Sequence, residues 1–165
     1  MRSVAEPLAI SVDLRDPSLP AWAVAKALDL QPHPEGGRYR ETWRDCPEDG
    51  SRGVGTSILF LLSPGERSHW HRVDAAEGWH WQAGAPLSLD MCREDEDPAT
   101  TVLGPDLGAG QQLSAVVPVG WWQAAAPRPL AGAAGWSLVC CTVSPAFRFE
   151  GFEMAPPGWK PRGRR

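Results

Sequence analysis

The density of turn-forming residues constrains this chain most. Seventeen glycines and seventeen prolines in 165 residues leave room only for short elements between bends. Such punctuation favours an all-β architecture over a bundle of long helices, and one domain rather than two at this length. The longest apolar run, Ile58 to Leu62, is five residues, whereas a membrane-spanning helix needs about 20, so no such helix is expected. Residues 1 to 12 lack the apolar core of about 7 to 15 residues that a secretory signal carries, which makes the cytoplasm the expected compartment. The formal charge is −4, and Lys160, Arg162, Arg164 and Arg165 crowd the last six residues, so everything before them is more acidic still. That balance argues against a nucleic-acid surface, and the basic end reads as a solvated tail. Cys46, Cys92, Cys140 and Cys141 form no C-x-x-C pair and read as reduced thiols.

One helix is expected. Ser18 can cap it, Pro20 tolerates an early-turn position, and Trp22, Ala25 and Leu28 set the period, with an end near Leu30 ahead of Pro32 and Pro34. Gly36 and Gly37 after Glu35 predict a backbone bend feeding an extended segment, in which Tyr39, Glu41 and Trp43 share a face. From Gly55 onward, short apolar runs alternate with turn signals at the rhythm of a sandwich or barrel. The acidic loop Glu94 to Asp97 reads as a hairpin tip. Residues 1–17 are read as an N-terminal extension, 18–155 as the single domain and 156–165 as the basic tail.

The segment Gly65 to Gly84 carries the most chemistry. His69 and His71 are two apart, so in a strand both imidazoles project to one face. The same period groups Glu77, Trp79 and Trp81, with His80 facing away. If the turn between them folds the second strand over the first, two imidazoles and a carboxylate converge in a cavity walled by indoles. That donor set suits a divalent iron, manganese, nickel or zinc ion. In the second informative segment, Pro118 to Gln123, a tight turn leads into a strand that sends Trp121 and Gln123 to one face and Trp122 to the other. The amide of Gln123 is a poor metal ligand but suits hydrogen bonding to a polar ligand.

The spacing G-x3-H-x-H-x5-E-x6-G from Gly65 to Gly84, followed by P-x-G-x2-Q from Pro118 to Gln123, resembles the two signature motifs of the cupin superfamily. Further segments are similar to one uncharacterised branch of it, the fifth cupin family. They are Pro32-His33-Pro34-Glu35-Gly36-Gly37, Arg40-Glu41, Trp70-His71-Arg72, Glu77-x-Trp79-His80, Val117-Pro118-x-Gly120-x-Trp122-Gln123 and Val143-Ser144-Pro145-x-Phe147-x-Phe149-x-x-Phe152-Glu153. The resemblance implies an all-β double-stranded β-helix, a jelly-roll barrel with a short N-terminal helix, a small-molecule cavity and a homodimer formed through an edge strand or the N-terminal segment. It implies no single reaction, because the barrel hosts epimerases, isomerases, oxygenases, storage proteins and sugar-binding regulators. Metal-using cupins supply a further histidine where this chain has Gln123, so the complete ligand set is missing.

The candidate catalytic residues are therefore His71, as general base, and Glu77, which either orients it or acts as an acid of raised pKa. His69, Arg72, Trp79, Trp81, Trp121, Gln123 and Glu35 are the candidate ligand contacts. Should a metal bind, His69, His71, Glu77 and Gln123 are its candidate ligands. The substrate expected is a small polar or carbohydrate-like molecule, handled by metal-free proton chemistry like that of an epimerase or isomerase. A non-catalytic binding protein and a metal-dependent enzyme are the alternatives.

Overall fold

The computed structural model describes residues 11–161. The first ten residues, read above for a signal, and Arg162, Arg164 and Arg165 of the basic tail lie outside the described residues. One short helix, α1 (Ala21–Ala27), precedes eleven strands: β1 (Gln31–Pro32), β2 (Arg38–Arg44), β3 (Thr56–Leu62), β4 (Ser68–Val73), β5 (Ala76–Gly84), β6 (Leu87–Cys92), β7 (Ala99–Leu103), β8 (Ser114–Val117), β9 (Trp122–Pro127), β10 (Ser137–Ser144) and β11 (Phe152–Met154). They form two antiparallel sheets, one ordered β1-β2-β3-β10-β5-β8 and the other β11-β4-β9-β6-β7. The chain alternates between the sheets from β3 to β6, which makes the all-β jelly roll that the resemblance implies. No helix among the described residues is long and apolar enough to cross a membrane.

The main core lies between the sheets. Phe60, Leu62, Trp79 and Val139 from the first sheet meet Leu87, Leu89, Leu103 and Ala125 from the second, each large side chain contributing roughly 1.5–3 kcal/mol by leaving water. A second cluster covers the outer face of the six-stranded sheet, where Ala23 and Val24 of α1 pack with Leu61, Leu138 and Trp136. The Trp136 indole donates to the carbonyl of Leu19 at 2.6 Å, fastening the segment before the helix.

The helix departs from expectation at both ends. Ser18 does not cap it: its hydroxyl donates to Asp16 at 2.7 Å, and the helix begins after Pro20, which stays extended. It ends at Ala27 rather than near Leu30, because Asp29 turns left-handed at φ 52°. Trp43 also differs, lying exposed where alternation would carry it inward, since a bulge between Glu41 and Trp43 shifts the register of β2 on β3. The acidic loop does close the β6–β7 hairpin. The start of the basic tail, read as solvated, folds back: the Trp159 ring sits 4.5 Å from Trp122 and 6.0 Å from Trp70, between centroids, on the outer face of the five-stranded sheet.

Candidate functional site

At one end of the barrel the two sheets diverge around a cavity of about 60 Å³, room for about two water molecules. Its wall is apolar and aromatic, from Ile58, Val73, Val143, Tyr39 and Phe152, and Phe147 and Phe149 also line it. Three carboxyl groups break that apolar wall: Glu35 and Glu77, both buried, and Glu41, which is exposed and paired with Arg44.

Glu35 stands on the loop between β1 and β2, shaped by two glycines. Gly36 and Gly37 adopt φ of 103° and 73°, and a Cβ at Gly36 would lie 2.3 Å from the carbonyl oxygen of Arg67. Only glycine permits that approach. The backbone N–H of His69 donates to the Glu35 carbonyl at 2.8 Å, pinning the loop to β4. The side chain is thereby held among buried partners: Ser68 donates its hydroxyl to Oε1 at 3.0 Å, and Oε2 lies 3.1 Å from Nε2 of His71.

The protonation of that last contact follows from its other end. Nδ1 of His71 lies 2.7 Å from the carbonyl oxygen of His69, which can only accept, so Nδ1 carries a proton. Where burial keeps the imidazole neutral its Nε2 is bare, and the 3.1 Å approach to it favours a protonated Glu35 carboxyl. Burial supports this: it lifts the Glu35 carboxyl to about 8, the Ser68 hydroxyl only partly offsetting it, and pushes the His71 imidazole below its ordinary value. His33 is no cationic partner for Glu35, because its Nδ1 accepts the backbone N–H of Glu35 at 3.2 Å, and burial holds its pKa down near 4.

Glu77 reaches the cavity from β5, and Gln123 stands opposite His71 in the β4–β9 register. The Trp79 indole, a donor only, gives its N–H to Gln123 Oε1 at 2.7 Å. This fixes the amide so that Nε2 points to Glu77 Oε2, also at 2.7 Å. Glu77 Oε1 has no hydrogen-bond partner among the described residues. Burial raises Glu77 to about 7, while His71 pulls it down, Glu35 pushes it up, and the Gln123 donor pulls it down.

The sequence candidates thus divide. His71, Glu77, Gln123, Trp79 and Glu35 come together. His71 is 1% exposed and stands behind Glu35, so the group that Glu77 was expected to orient is oriented by Glu35 instead. His69 does not share the face of His71: a bulge between Ser68 and His71 in the β4–β9 pairing turns Ser68 and His71 inward and leaves His69 exposed. Arg72 lies on the outer face, bonded to Glu153 at 2.7 Å and Glu94 at 3.1 Å and stacked over Trp122.

No tryptophan lines the cavity, contrary to the expected indole walls. Trp79 is core, edge-on to Phe60. Trp81 donates to the Ala85 carbonyl, four residues along β5 from Glu77, or about 13 Å at the usual rise. Trp121 lies beneath Arg93. Sequence reading gave no site role to Ser68, His33 or the three phenylalanines. The Ser68 role depends on the bulge, which leaves no mark in the sequence, whereas the Glu35–Gly36–Gly37 bend did signal a held carboxylate.

A divalent metal, which the fold family often uses, does not fit this donor set. His69 is outside, Nε2 of His71 faces the Glu35 carboxyl, and the one ligating oxygen of Gln123 is taken by Trp79. Among the described residues no group of three or more His, Cys, Asp or Glu side chains has the arrangement to hold a metal ion.

Comparison with known proteins matches residues 23–155 to the family described as Cupin superfamily (DUF985). A solved protein from Shewanella oneidensis is 40% identical, with 83% of this chain and 85% of that one covered and a TM-score of 0.76. A hypothetical protein from Leishmania major is 34% identical, over 83% and 88% of the two chains, with a TM-score of 0.74. KdgF from a Halomonas species shares the fold at 13% identity, with 76% and 94% covered and a TM-score of 0.53. No curated protein sequence matches.

Proposed function

Because the chain belongs to the cupin superfamily, in the family described as DUF985, and brings two buried carboxyls to one small cavity, we propose that it carries out metal-free acid–base chemistry on one end of a small polar molecule. The carrying observation is the unequal bonding of the two carboxyls: Glu35 accepts from Ser68 and abuts His71, whereas Glu77 keeps one oxygen unpartnered among the described residues, and burial raises both toward the neutral range. A group whose pKa matches the working pH serves best as general acid or base. In the forward direction the Glu77 carboxylate takes a proton from the substrate and the Glu35 carboxyl returns one at another atom. Glu77 ends protonated and Glu35 ionised, and proton exchange with solvent or the reverse reaction restores the start. His71 is the positioning residue, packed against the Glu35 carboxyl at 3.1 Å. Epimerase-like and isomerase-like reactions are the class that needs only these two transfers.

Ordinary ligand pockets are about 300–1,000 Å³, so this cavity takes only the reacting end of a carbohydrate-like molecule, the remainder passing out between Phe147, Phe149 and Phe152. A ligand-holding role without turnover is favoured by one feature, the engagement of both Glu35 oxygens, one by the Ser68 hydroxyl and one by the close approach of His71. The readings separate by nuclear magnetic resonance in deuterated water, with small hydroxyaldehydes, hydroxyketones and amines as substrates. The proposal expects deuterium to enter a carbon position, at a rate that falls about 10²-fold or more in Glu77→Gln. Saturable binding without exchange in any of these compounds would favour the holding role.

Four free cysteines fit a reducing compartment, and we place the protein in the cytoplasm. We also propose a homodimer through the open β8 edge, where Leu113, Val116 and Val119 are exposed. Light scattering of the eluted protein would show twice the chain mass.

A further inference from the structure

We infer that the cavity between Glu35 and Glu77 selects a cationic nitrogen head, an organic ammonium or amidinium group. The inference rests on the acid–base reading only for its choice of cavity.

Glu77 is 7% exposed and still has an oxygen without a hydrogen-bond partner among the described residues. That oxygen is not sealed off, Trp122 Nε1 being the one fully buried side-chain polar atom without a partner among the described residues, so it opens onto the cavity and can take a donor that enters there. The second carboxyl, Glu35, faces the same small space, so the pair resists joint ionisation unless positive charge enters. The groups around it supply none. Burial disfavours the cationic forms of His33 and of His71, the neighbour that pulls Glu77 down, and it holds the Cys141 thiol protonated. Arg44 reaches the rim, but two hydrogen bonds of 2.8 Å tie it to both carboxylate oxygens of Glu41, and its remaining end donates to the Phe147 carbonyl. Its charge is answered before it reaches the interior.

The rest of the wall suits a cation better than a neutral polar group. Phe147, Phe149 and Phe152 pack edge to face, with centroids 5.0–6.2 Å apart. Ring faces attract ammonium and guanidinium groups, the more so away from water. An anion would meet two buried carboxyls, with only the neutral hydroxyls of Tyr39 and Thr56 to offset them and no cation that is not already paired. The cavity volume suits a one-carbon head such as methylammonium or guanidinium. A cationic nitrogen beside the reacting carbon would also stabilise the electron pair left when Glu77 removes a proton.

The test is calorimetric titration of the whole chain at pH 7 with guanidinium chloride, methylammonium chloride, urea and sodium formate, in phosphate and in MOPS buffer. Urea has the shape of guanidinium without its charge, so charge selection is read on the unaltered protein. The inference expects saturable binding of guanidinium or methylammonium at least about tenfold tighter than urea or formate, a difference of ~1.4 kcal/mol. Protons should be released on binding, since the cation favours ionised Glu77, and Glu77→Gln should lose the selectivity. Urea or formate binding as tightly as the cations, or no saturable cation binding at all, would overturn it. Loss of selectivity with Glu77-dependent deuterium exchange intact would sink the cation assignment alone. Selectivity without exchange would instead sink the acid–base reading and leave this inference standing.

Discussion

Glu35 and His71 abut at 3.1 Å, and which of them is protonated decides how single substitutions behave. With the proton on Glu35, glutamine is a near replacement, because its amide can still donate to Nε2 of His71 and its oxygen can still accept from Ser68. Glu35→Gln should fold with wild-type stability at pH 7 while any turnover is lost. If His71 were the cation, the same change would leave a buried charge unpaired and destabilise by about 3–5 kcal/mol, which urea denaturation would reveal. The pH dependence follows with definite sign. Glu35 and Glu77 are raised from 4.5 to about 8 and 7, so their stabilisation is present below about 4.5 and lost as pH rises through those values. His33 is lowered from 6.5 to about 4 and acts oppositely, its contribution being lost as pH falls. The thermal midpoint should therefore fall between about pH 6.5 and 8, at up to ~1.4 kcal/mol per pH unit for each carboxyl. Thermal melts across that range should show a shallower fall in Glu35→Gln. An unchanged midpoint up to pH 9 would contradict the assignment.

At the scale of elements, the β1–β2 bend and the two bulges set the geometry. Gly36→Ala should cost at least ~1–3 kcal/mol, since φ of 103° is strained for alanine and the added Cβ meets the Arg67 carbonyl. Chemical denaturation measures the loss, and an effect below 0.5 kcal/mol would show that the loop yields, by the usual bound for neutral substitutions. Trp79→Phe should act at a distance by freeing the Gln123 amide. Without that anchor the donor to Glu77 weakens, and the Glu77 pKa rises further, readable by carbon-13 titration of its carboxyl. The same elements show how far the sequence could be read. The jelly roll was legible in turn punctuation and motif spacing, and alternation put Glu77 with Trp79, which the fold brings beside Gln123. Alternation fails where a strand bulges. The extra residue between Ser68 and His71 reversed His69 and brought in Ser68, and neither change is encoded in a local pattern. The contact of Glu35 with His71 joins residues 36 apart and is visible only once β4 is folded against the loop.

At the scale of the whole molecule, the barrel holds a small, largely aromatic cavity that opens beside Phe149 and carries two buried carboxyls. Of the candidate donors only Oε1 of Glu77 is left open, while His69 is turned outward and His71 and Gln123 are engaged by neighbours, so protein purified without chelator should hold well under one metal ion per chain. Incubation with iron, manganese, nickel or zinc should leave its thermal midpoint unmoved, whereas a stoichiometric ion bound through His71 and Glu77 would refute the donor assignment. The central claim is that two carboxyls facing one cavity hold protons near neutrality. Carbon-13 titration of the glutamate side chains, in wild type and in Glu35→Gln and Glu77→Gln, tests it most directly. The account predicts two glutamates titrating near 8 and 7, each signal vanishing in its own variant. Every glutamate titrating close to 4.5 would contradict it.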